Sequence, residues 1–176
     1  GAVGGMYKSR GGQVSPSVCG RDAVWKLPAD LDPLAFAGLV LTQVGYNAGS
    51  RPPLSIGDGA LVVGDGLVGQ WSAQTLAWRG AEVILVGRHP DRLQKFARAP
   101  YCHVLDEGQS DWLDSAQTLF PDGIQVAVDP VGSIAAIEAL QPLMRRNGHV
   151  VSAGFYGIQD RLQLQPARYS ELGINL

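Results

Sequence analysis

A short apolar run that leads directly into a glycine-rich turn constrains this sequence most. Residues 60–63 are followed by Gly-Asp-Gly-Leu-Val-Gly, in which Gly64, Gly66 and Gly69 have the spacing G-x-G-x-x-G. In a strand–turn–helix unit the first glycine permits the tight turn, the second lets backbone approach a pyrophosphate, and the third lets the helix pack on the strand. The stretch therefore predicts a buried strand followed by a phosphate-binding turn.

Regular elements on both sides of the turn favour a nucleotide site over an ordinary glycine-rich loop. The pattern predicts a helix over residues 67–79, stopped by Gly80, and then a strand over residues 82–86. The amino terminus of that helix directs free N–H groups and a partial positive charge at the turn. In this context the motif predicts a dinucleotide site.

Strands and helices alternate along the rest of the chain. Apolar runs and turn residues predict further strands over 102–105, 124–128 and 149–153, and helices over 90–98, 111–119 and 134–146. Such alternation requires crossover connections between parallel strands. The predicted fold class is therefore α/β, a Rossmann-type doubly wound parallel sheet with helices on both faces.

Ligands of such sheets bind beyond the carboxyl ends of the strands, at the switch point of strand order. Because glycines recur at these ends, we expect room there for a flat, extended ligand. The candidate cofactor-binding residues are Gly64, Gly66, Leu67, Val68 and Gly69 in the turn; Gly87, Arg88, His89 and Arg92 after the second strand; Asp129, Pro130 and Val131 after the fourth; and Gly154 and Phe155 after the fifth.

The residues after the second strand predict which dinucleotide is preferred. Sheets that bind NAD place Asp or Glu there, roughly 20 residues after the glycine motif, to accept hydrogen bonds from the adenosine ribose. Gly87 has no carboxylate to repel a 2′-phosphate, and Arg88 offers a charged donor fork suited to one. We therefore expect NADP(H), with His89 and Arg92 as further donors and Glu107 opposing the phosphate.

The residues ahead of the glycine motif carry weaker signals. Residues 1–17 are typical of a loop, and residues 23–28 predict a short strand stopped by proline. Asp32 followed by Pro33 predicts the start of a helix that runs to about residue 48. Its apolar residues cover most faces, so we expect this helix to be buried.

Composition excludes several classes of partner. Hydrophobic residues make up 45% of the 176 residues, charged residues 17%, and the net charge is −2, so no basic excess favours nucleic acid or an anionic membrane. No apolar run approaches the roughly 20 residues that span a bilayer, and no secretory signal pattern is visible. Cys19 and Cys102 lack C-x-x-C spacing, so a reducing cytoplasm is the expected location.

Four segments together resemble the cofactor domain of the medium-chain dehydrogenase/reductase superfamily, the zinc-type alcohol dehydrogenase and quinone oxidoreductase kind. They are Leu-Pro-Ala-Asp-Leu-Asp-Pro at 27–33, the glycine motif with its approach at 57–69, Val-Ala-Val-Asp-Pro-Val-Gly-Ser at 126–133, and Arg-Arg-Asn-Gly-His-Val-Val at 145–151. The resemblance implies a nicotinamide cofactor and hydride transfer to or from a carbonyl, alcohol or activated alkene. It also implies that residues 1–32 are the tail of a GroES-like catalytic domain with a connecting segment. Residues 33–176 are then the NAD(P)-binding domain, with its last strand cut.

The sequence offers few candidate residues for binding zinc or for transferring a proton. Paired short spacings of Cys, His or carboxylate ligands are absent, and Leu39 stands where the resemblance places a zinc ligand, so we expect no metal. No tyrosine stands four residues before a lysine. Tyr46 lies in the segment that the resemblance brings towards the nicotinamide and is a weak candidate for substrate contact; the catalytic residues are otherwise unknown.

Two further functions stay open beside the oxidoreductase. One is a non-catalytic dinucleotide-binding or regulatory Rossmann module. The other, an S-adenosylmethionine methyltransferase, also follows a strand with a glycine-rich turn, but Gly87 supplies no acceptor for its ribose diol. The expected partners are a small-molecule substrate and a second copy of the chain, paired through the sheet edge in a homodimer. We expect the isolated chain to be inactive, because hydride transfer needs cofactor and substrate held together.

Overall fold

Parallel strands form the central layer of the computed structural model, which describes residues 20–97, 101–108, 111–163, 166, 170 and 173–175. Within those residues the sheet has five strands: β1 (Gly59–Val63), β2 (Glu82–Gly87), β3 (Cys102–Asp106), β4 (Ile124–Asp129) and β5 (Met144–Ser152). Their order is β3-β2-β1-β4-β5. The strand order reverses between β1 and β4, which creates the switch point where doubly wound sheets bind ligands.

Helices cover both faces of this sheet. They are α2 (Leu39–Ser50), α3 (Leu67–Trp78), α4 (Pro90–Phe96), α5 (Trp112–Leu119) and α6 (Ile134–Leu140); a further short helix, α1 (Pro33–Phe36), precedes them in the chain and has no buried residue. Alternate residues of β1 point to opposite layers: Leu61 and Val63 pack with residues of α5 and α6, whereas Ala60 and Val62 pack with residues of α3 and α4. The predicted fold class is confirmed, and burial on both faces explains why the inner strands are continuously apolar.

A further parallel pairing lies on the outer side of β5. The N–H of Val150 donates to the carbonyl oxygen of Asn175 at 2.7 Å, and the N–H of Asn175 donates to that of Gly148 at 2.9 Å. His149 and Asn175 form a parallel bridge. A residue beyond β5 therefore continues the parallel pairing on the outer side of that strand.

The predicted strand over residues 23–28 is wrong. A short 3-10 turn, Arg21–Ala23, is followed by residues without regular structure. Trp25 is 83% exposed. A strand needs a neighbouring strand to satisfy its backbone, and within the described residues this segment has none.

The helix predicted from Pro33 is divided in two. Its start is confirmed, because Asp32 accepts a hydrogen bond from the N–H of Leu34 at 2.9 Å and Pro33 occupies the first turn. The chain leaves the helix at residues 37–38 and resumes as α2. The described part of the chain divides into two units between residues 37 and 38. The assignment of residues 1–32 to a GroES-like domain stays a prediction.

The expectation that this helical region is buried is wrong for α2. The large residues Leu39, Val40 and Leu41 are exposed. The buried contact is made by glycines: a Cβ added to Gly45 would lie 2.6 Å from the carbonyl oxygen of Val68, and one added to Gly49 would lie 2.7 Å from Cβ of Thr75. Close approach of the α2 and α3 backbones replaces large side chains in this contact.

The helix predicted over residues 134–146 ends six residues early. It stops at Leu140 and continues as a 3-10 turn, Gln141–Leu143, that contains Pro142. Proline lacks the N–H that a continuing α-helix needs. Strand β5 therefore begins at Met144 rather than at the predicted His149.

Candidate functional site

The three glycines of the turn occupy three different environments. Gly64 has φ +134°, in the region that favours glycine, and a Cβ there would lie 2.7 Å from a methyl group of Val131. Among the described residues, no atom lies within 4 Å of a Cβ added to Gly66. A Cβ on Gly69 would overlap the carbonyl oxygen of Gly64. The positions match a tight turn, an open approach and a close helix–strand contact, as the motif requires.

The open end of α3 faces this turn. Its N-cap is Gly66, and within the described residues no side chain caps the first helical turn. The first N–H groups of a helix lack partners inside the helix and carry the positive end of its dipole. The β1–α3 junction is therefore suited to an anion such as a pyrophosphate.

A cavity of about 230 Å³ lies at this junction, against the carboxyl ends of β1 and β2. Its lining contains predicted residues and several others: Val63, Gly64, Asp65, Gly66, Gly87, Arg88, His89, Glu107, Val131, Ser133 and Ala136. Larger cavities of about 550 and 590 Å³ lie elsewhere, but none of their lining residues belongs to the glycine turn. We place the candidate site by its chemistry rather than by volume.

Asp65, the residue between the first two glycines, is the most connected side chain of the cavity. It is 6% exposed. One carboxylate oxygen accepts from the backbone N–H groups of Arg88 at 2.9 Å and His89 at 2.7 Å. Nδ1 of His89 lies 3.0 Å from both oxygens, and a guanidinium nitrogen of Arg92 lies 3.4 Å from one. Since the carboxylate only accepts, Nδ1 is the donor in this contact.

These hydrogen bonds decide the ionisation of Asp65. Burial by itself raises the pKa of the carboxyl group, but the bonds from the backbone and ring of His89 and from the backbone of Arg88 outweigh it. The pKa of Asp65 is therefore lowered from its ordinary value of 3.8. The group is an anion at neutral pH, held inside the glycine motif.

The predicted phosphate donors surround Asp65 and reach the surface. The Arg88 side chain is 73% exposed, and its Nε donates to Glu107 at 2.7 Å. The side chains of His89 and Arg92 are about half exposed. Glu107, expected to oppose a phosphate, is thus paired with the cation expected to bind it. Exposed pairs of this kind are weak because water screens them, so a stronger ligand can displace Glu107.

The predicted ligand residue Asp129 instead holds its own loop. The side chain is fully buried and accepts from the N–H groups of Val131 at 2.9 Å, Gly132 at 3.2 Å and Ser133 at 2.8 Å. The hydroxyl of Tyr156 donates to it at 2.7 Å. Burial, reinforced by Asp129 and partly offset by Ser152, raises the pKa of Tyr156 to about 12. Asp129 therefore shapes the loop after β4 and does not line the cavity.

The glycines after β4 and β5 bring two loops together. Gly132 has φ +86°, and a Cβ on Gly154 would overlap the backbone nitrogen of Gly132. Phe155 is 98% exposed. The expectation that glycine at these ends makes room for a ligand holds for Gly66 but not for Gly132 and Gly154, which permit backbone contact.

The remaining predicted residues lie beside the cavity or apart from it. Leu67 and Val68 belong to the first turn of α3, and a ring carbon of Pro130 would lie within 3.4 Å of a Cβ on Gly64 or Gly69. Tyr46 lies on α2 and lines a separate cavity of about 380 Å³ with Trp71 and Trp78. Contact between Tyr46 and a substrate stays a prediction.

Sequence reasoning missed Asp65 and Tyr156 as functional-site residues. The signal for Asp65 was available, since an acidic residue inside the glycine motif precedes the cationic group Arg88-His89 by 23 residues. The contact of Tyr156 with Asp129 spans 27 residues, and no motif marks it.

The strand order, the glycine turn and the open helix end define a Rossmann-type dinucleotide-binding domain. A model of the zinc-binding dehydrogenase family matches residues 68–174. The chain belongs to that family, and the predicted membership of the medium-chain dehydrogenase/reductase superfamily is confirmed.

Individual relatives agree with this assignment. L-galactonate-5-dehydrogenase of Escherichia coli (strain K12) is 29% identical over 132 residues, which cover 74% of this chain and 39% of that protein. The structure of 2R,3R-butanediol dehydrogenase from Bacillus subtilis has a TM-score of 0.71 at 21% identity, covering 86% of this chain and 43% of that one. A protein of Sinorhizobium meliloti 1021, described as a zinc-binding dehydrogenase and bound to NADP, has a TM-score of 0.71 at 21% identity, covering 86% and 45%. The chain thus spans less than half the length of these relatives.

The family name raises the question of zinc. Within the described ranges no three His, Cys, Asp or Glu side chains converge as metal ligands. A zinc ion needs such a set, so these residues do not fit one, and the absence of zinc from the protein stays a prediction. No helix among the described residues is long and apolar enough to cross a membrane.

Proposed function

We propose that this chain is the cofactor-binding part of an NADP(H)-dependent oxidoreductase of the medium-chain type. The reaction is hydride transfer between the cofactor and a carbonyl, alcohol or activated alkene of a small molecule. The observation that carries the proposal is the bare Gly87 at the cavity, with the cations Arg88 and Arg92 and the imidazole of His89 beside it.

Each part of the cavity has a role in this proposal. The open space at Gly66 and the N–H groups at the start of α3 hold the pyrophosphate. Val63, Val131 and Ala136 provide apolar surface for the adenosine. The guanidinium of Arg88, released from Glu107, binds the 2′-phosphate with a charge-assisted fork. When bound, the nicotinamide supplies or accepts the hydride.

The test is titration of the whole chain with NADPH and NADH, followed by fluorescence or calorimetry. Because it removes a charge-assisted hydrogen bond to the 2′-phosphate, Arg88→Ala should weaken NADPH about 10-fold and leave NADH nearly unchanged. Arg146→Ala is the matched control, because Arg146 is an exposed arginine outside the cavity lining. Equal weakening of both cofactors by Arg88→Ala would refute the role of Arg88.

A variant of Glu107 provides a second test, in which NADPH binding should become stronger rather than weaker. Glu107→Gln removes a like charge from the phosphate and frees Arg88 from its pair. Because that pair is exposed, NADPH binding should strengthen only about two- to fivefold. Weaker binding of NADPH in this variant would mean that Glu107 supports the cofactor rather than opposing it.

The non-catalytic module is the alternative. The isolated chain should bind NADPH but should not oxidise it in the presence of quinones or aldehydes. Binding of S-adenosylmethionine in place of NADPH would instead support a methyltransferase.

Three weaker expectations accompany the proposal. Elemental analysis should find no stoichiometric zinc. Light scattering should find a homodimer paired through the sheet edge, and a strictly monomeric chain at high concentration would count against that pairing. A fluorescently tagged chain should be found in the cytoplasm.

A further inference from the structure

Asp65 occupies the space that the Cβ of any side chain at position 87, the last residue of β2, would need. A Cβ added to Gly87 would lie 2.5 Å from both Cβ and Oδ2 of Asp65 and 2.7 Å from Cγ. The backbone of Gly87 is outside the left-handed region, so space rather than backbone conformation demands glycine there. One of these contacts is to a Cβ, which cannot move without its backbone.

The Asp65 side chain is also held in place. Its oxygens take two backbone N–H groups, a ring nitrogen and a guanidinium at 2.7 to 3.4 Å. Turning the side chain away from Gly87 would leave the N–H groups of Arg88 and His89 without this acceptor. Buried donors without an acceptor are costly.

The same contacts leave Asp65 with little capacity for a ligand. A carboxylate has about four acceptor positions, and the described donors use them. Its charge is compensated inside the protein, so a ribose diol finds no free acceptor on it. The exposed groups at this end of the cavity are Arg88, His89 and Arg92, with Glu107 as a partly exposed acid.

We propose that Asp65 determines cofactor specificity by position. Resting on the proposed NADP(H) function, the inference is that Asp65 excludes any side chain from position 87 and fixes the loop that presents Arg88. The carboxylate that would read the ribose diol of NAD is thereby kept out. A 2′-phosphate meets the cationic loop instead.

The experiment exchanges the carboxylate between the two positions in the whole chain. Gly87→Asp should weaken NADPH and NADH at least about 10-fold and lower the melting temperature, because Asp65 blocks the new Cβ. Adding Asp65→Gly should restore the melting temperature and the binding of NADH. The new carboxylate can accept from the N–H of His89, two residues on, so the ratio of the two Kd values should shift towards NADH by about 10-fold or more.

A matched variant separates shape from charge. Gly87→Asp with Asp65→Ala removes the same charge but keeps the Cβ that lies 2.5 Å from the new one. This double variant should stay as unstable and as weakly binding as Gly87→Asp alone. If the Gly and Ala versions recover equally, shape is not the determinant, and the inference is overturned.

The other possible results of these experiments also support or overturn the inference. Normal folding of Gly87→Asp with a switch to NADH while Asp65 is present would overturn the inference. If Gly87→Asp does not fold, Asp65→Gly alone is informative: it should weaken NADPH more than NADH, and equal weakening would contradict a role in specificity. If the parent binds neither cofactor, the proposed function fails, while melting curves still test the exclusion of side chains at position 87.

Discussion

The loops after β2 and β4 are each held by a buried carboxylate, but the carboxylates come from different places. Asp129 is the last residue of β4, directly before the loop it holds, and its carboxylate oxygens accept from N–H groups two to four residues ahead. Asp65 belongs to the glycine turn and holds a loop 23 and 24 residues ahead. The loop after β4 is therefore held by an adjacent residue, whereas the loop after β2 depends on the glycine turn, the candidate pyrophosphate site.

This difference assigns the loops different roles. The loop after β4 is held by the neighbouring Asp129, which also accepts from Tyr156 in the loop after β5. The β2 loop links the candidate pyrophosphate and 2′-phosphate positions through one side chain. A change at Asp65 should therefore alter ligand preference, while a change at Asp129 should mainly alter stability.

The largest effect is expected at Asp129. Asp129→Ala leaves three backbone N–H groups and the Tyr156 hydroxyl without their acceptor, and such losses cost about 3 to 5 kcal/mol of unfolding free energy. Urea unfolding measures it. A loss below about 1 kcal/mol would show that water replaces the carboxylate, and Asp129→Asn, which keeps one oxygen, should lose less.

Asp65→Asn should destabilise less than Asp129→Ala. The amide keeps one acceptor oxygen but places an NH₂ group among donors, and the loop lies beside half-exposed side chains. We expect a loss of about 1 to 3 kcal/mol by the same measurement. A larger loss than in Asp129→Ala would reverse the proposed ranking of the two loops.

Tyr156→Phe removes one of the donors to Asp129 while keeping the ring. One hydrogen bond contributes about 0.5 to 1.5 kcal/mol, so the loss of stability should be of that size. In the parent, the absorbance change of one tyrosine should occur near pH 12, as burial and Asp129 require. If all tyrosines of the folded chain titrate together near pH 10, this contact is not formed.

The dependence of stability on pH gives the smallest effect. Because the folded-state pKa of Asp65 is lowered from 3.8, its stabilising contribution is fully present above that pH and is lost as the pH falls through the lowered value. The difference in unfolding free energy between parent and Asp65→Asn should therefore shrink as the pH falls below 3.8. A difference that grows as the pH falls through that range would contradict the sign of the shift.

The sequence predicted the parts of the molecule that local patterns determine. Apolar runs, Gly80 and the G-x-G-x-x-G spacing define β1, α3 and β2, because turns and strand burial depend on neighbouring residues. The end of α6 was also local, and Pro142 marks it. The buried face of α2 could not be predicted, because Gly45 and Gly49 acquire their role only against α3.

In the candidate site, too, some features follow from the local sequence and others depend on contacts made by the fold. Gly64, Gly66 and Gly69 follow from the motif, and the structure gives each the expected surroundings. The role of Asp65 depends on β1 and β2 lying side by side in register, with Val63 opposite Val86. That pairing places Asp65 above Gly87, a contact that depends on the fold rather than on adjacent sequence.

Direct comparison of NADPH and NADH binding to the parent chain tests the central claim most closely. Calorimetric titrations of both cofactors should be made at one low ionic strength, because the 2′-phosphate contact is electrostatic and is screened by salt. The account predicts NADPH binding at least about 10-fold tighter, with a preference that narrows as salt is added. Equal affinities, tighter binding of NADH, or binding of neither would contradict it.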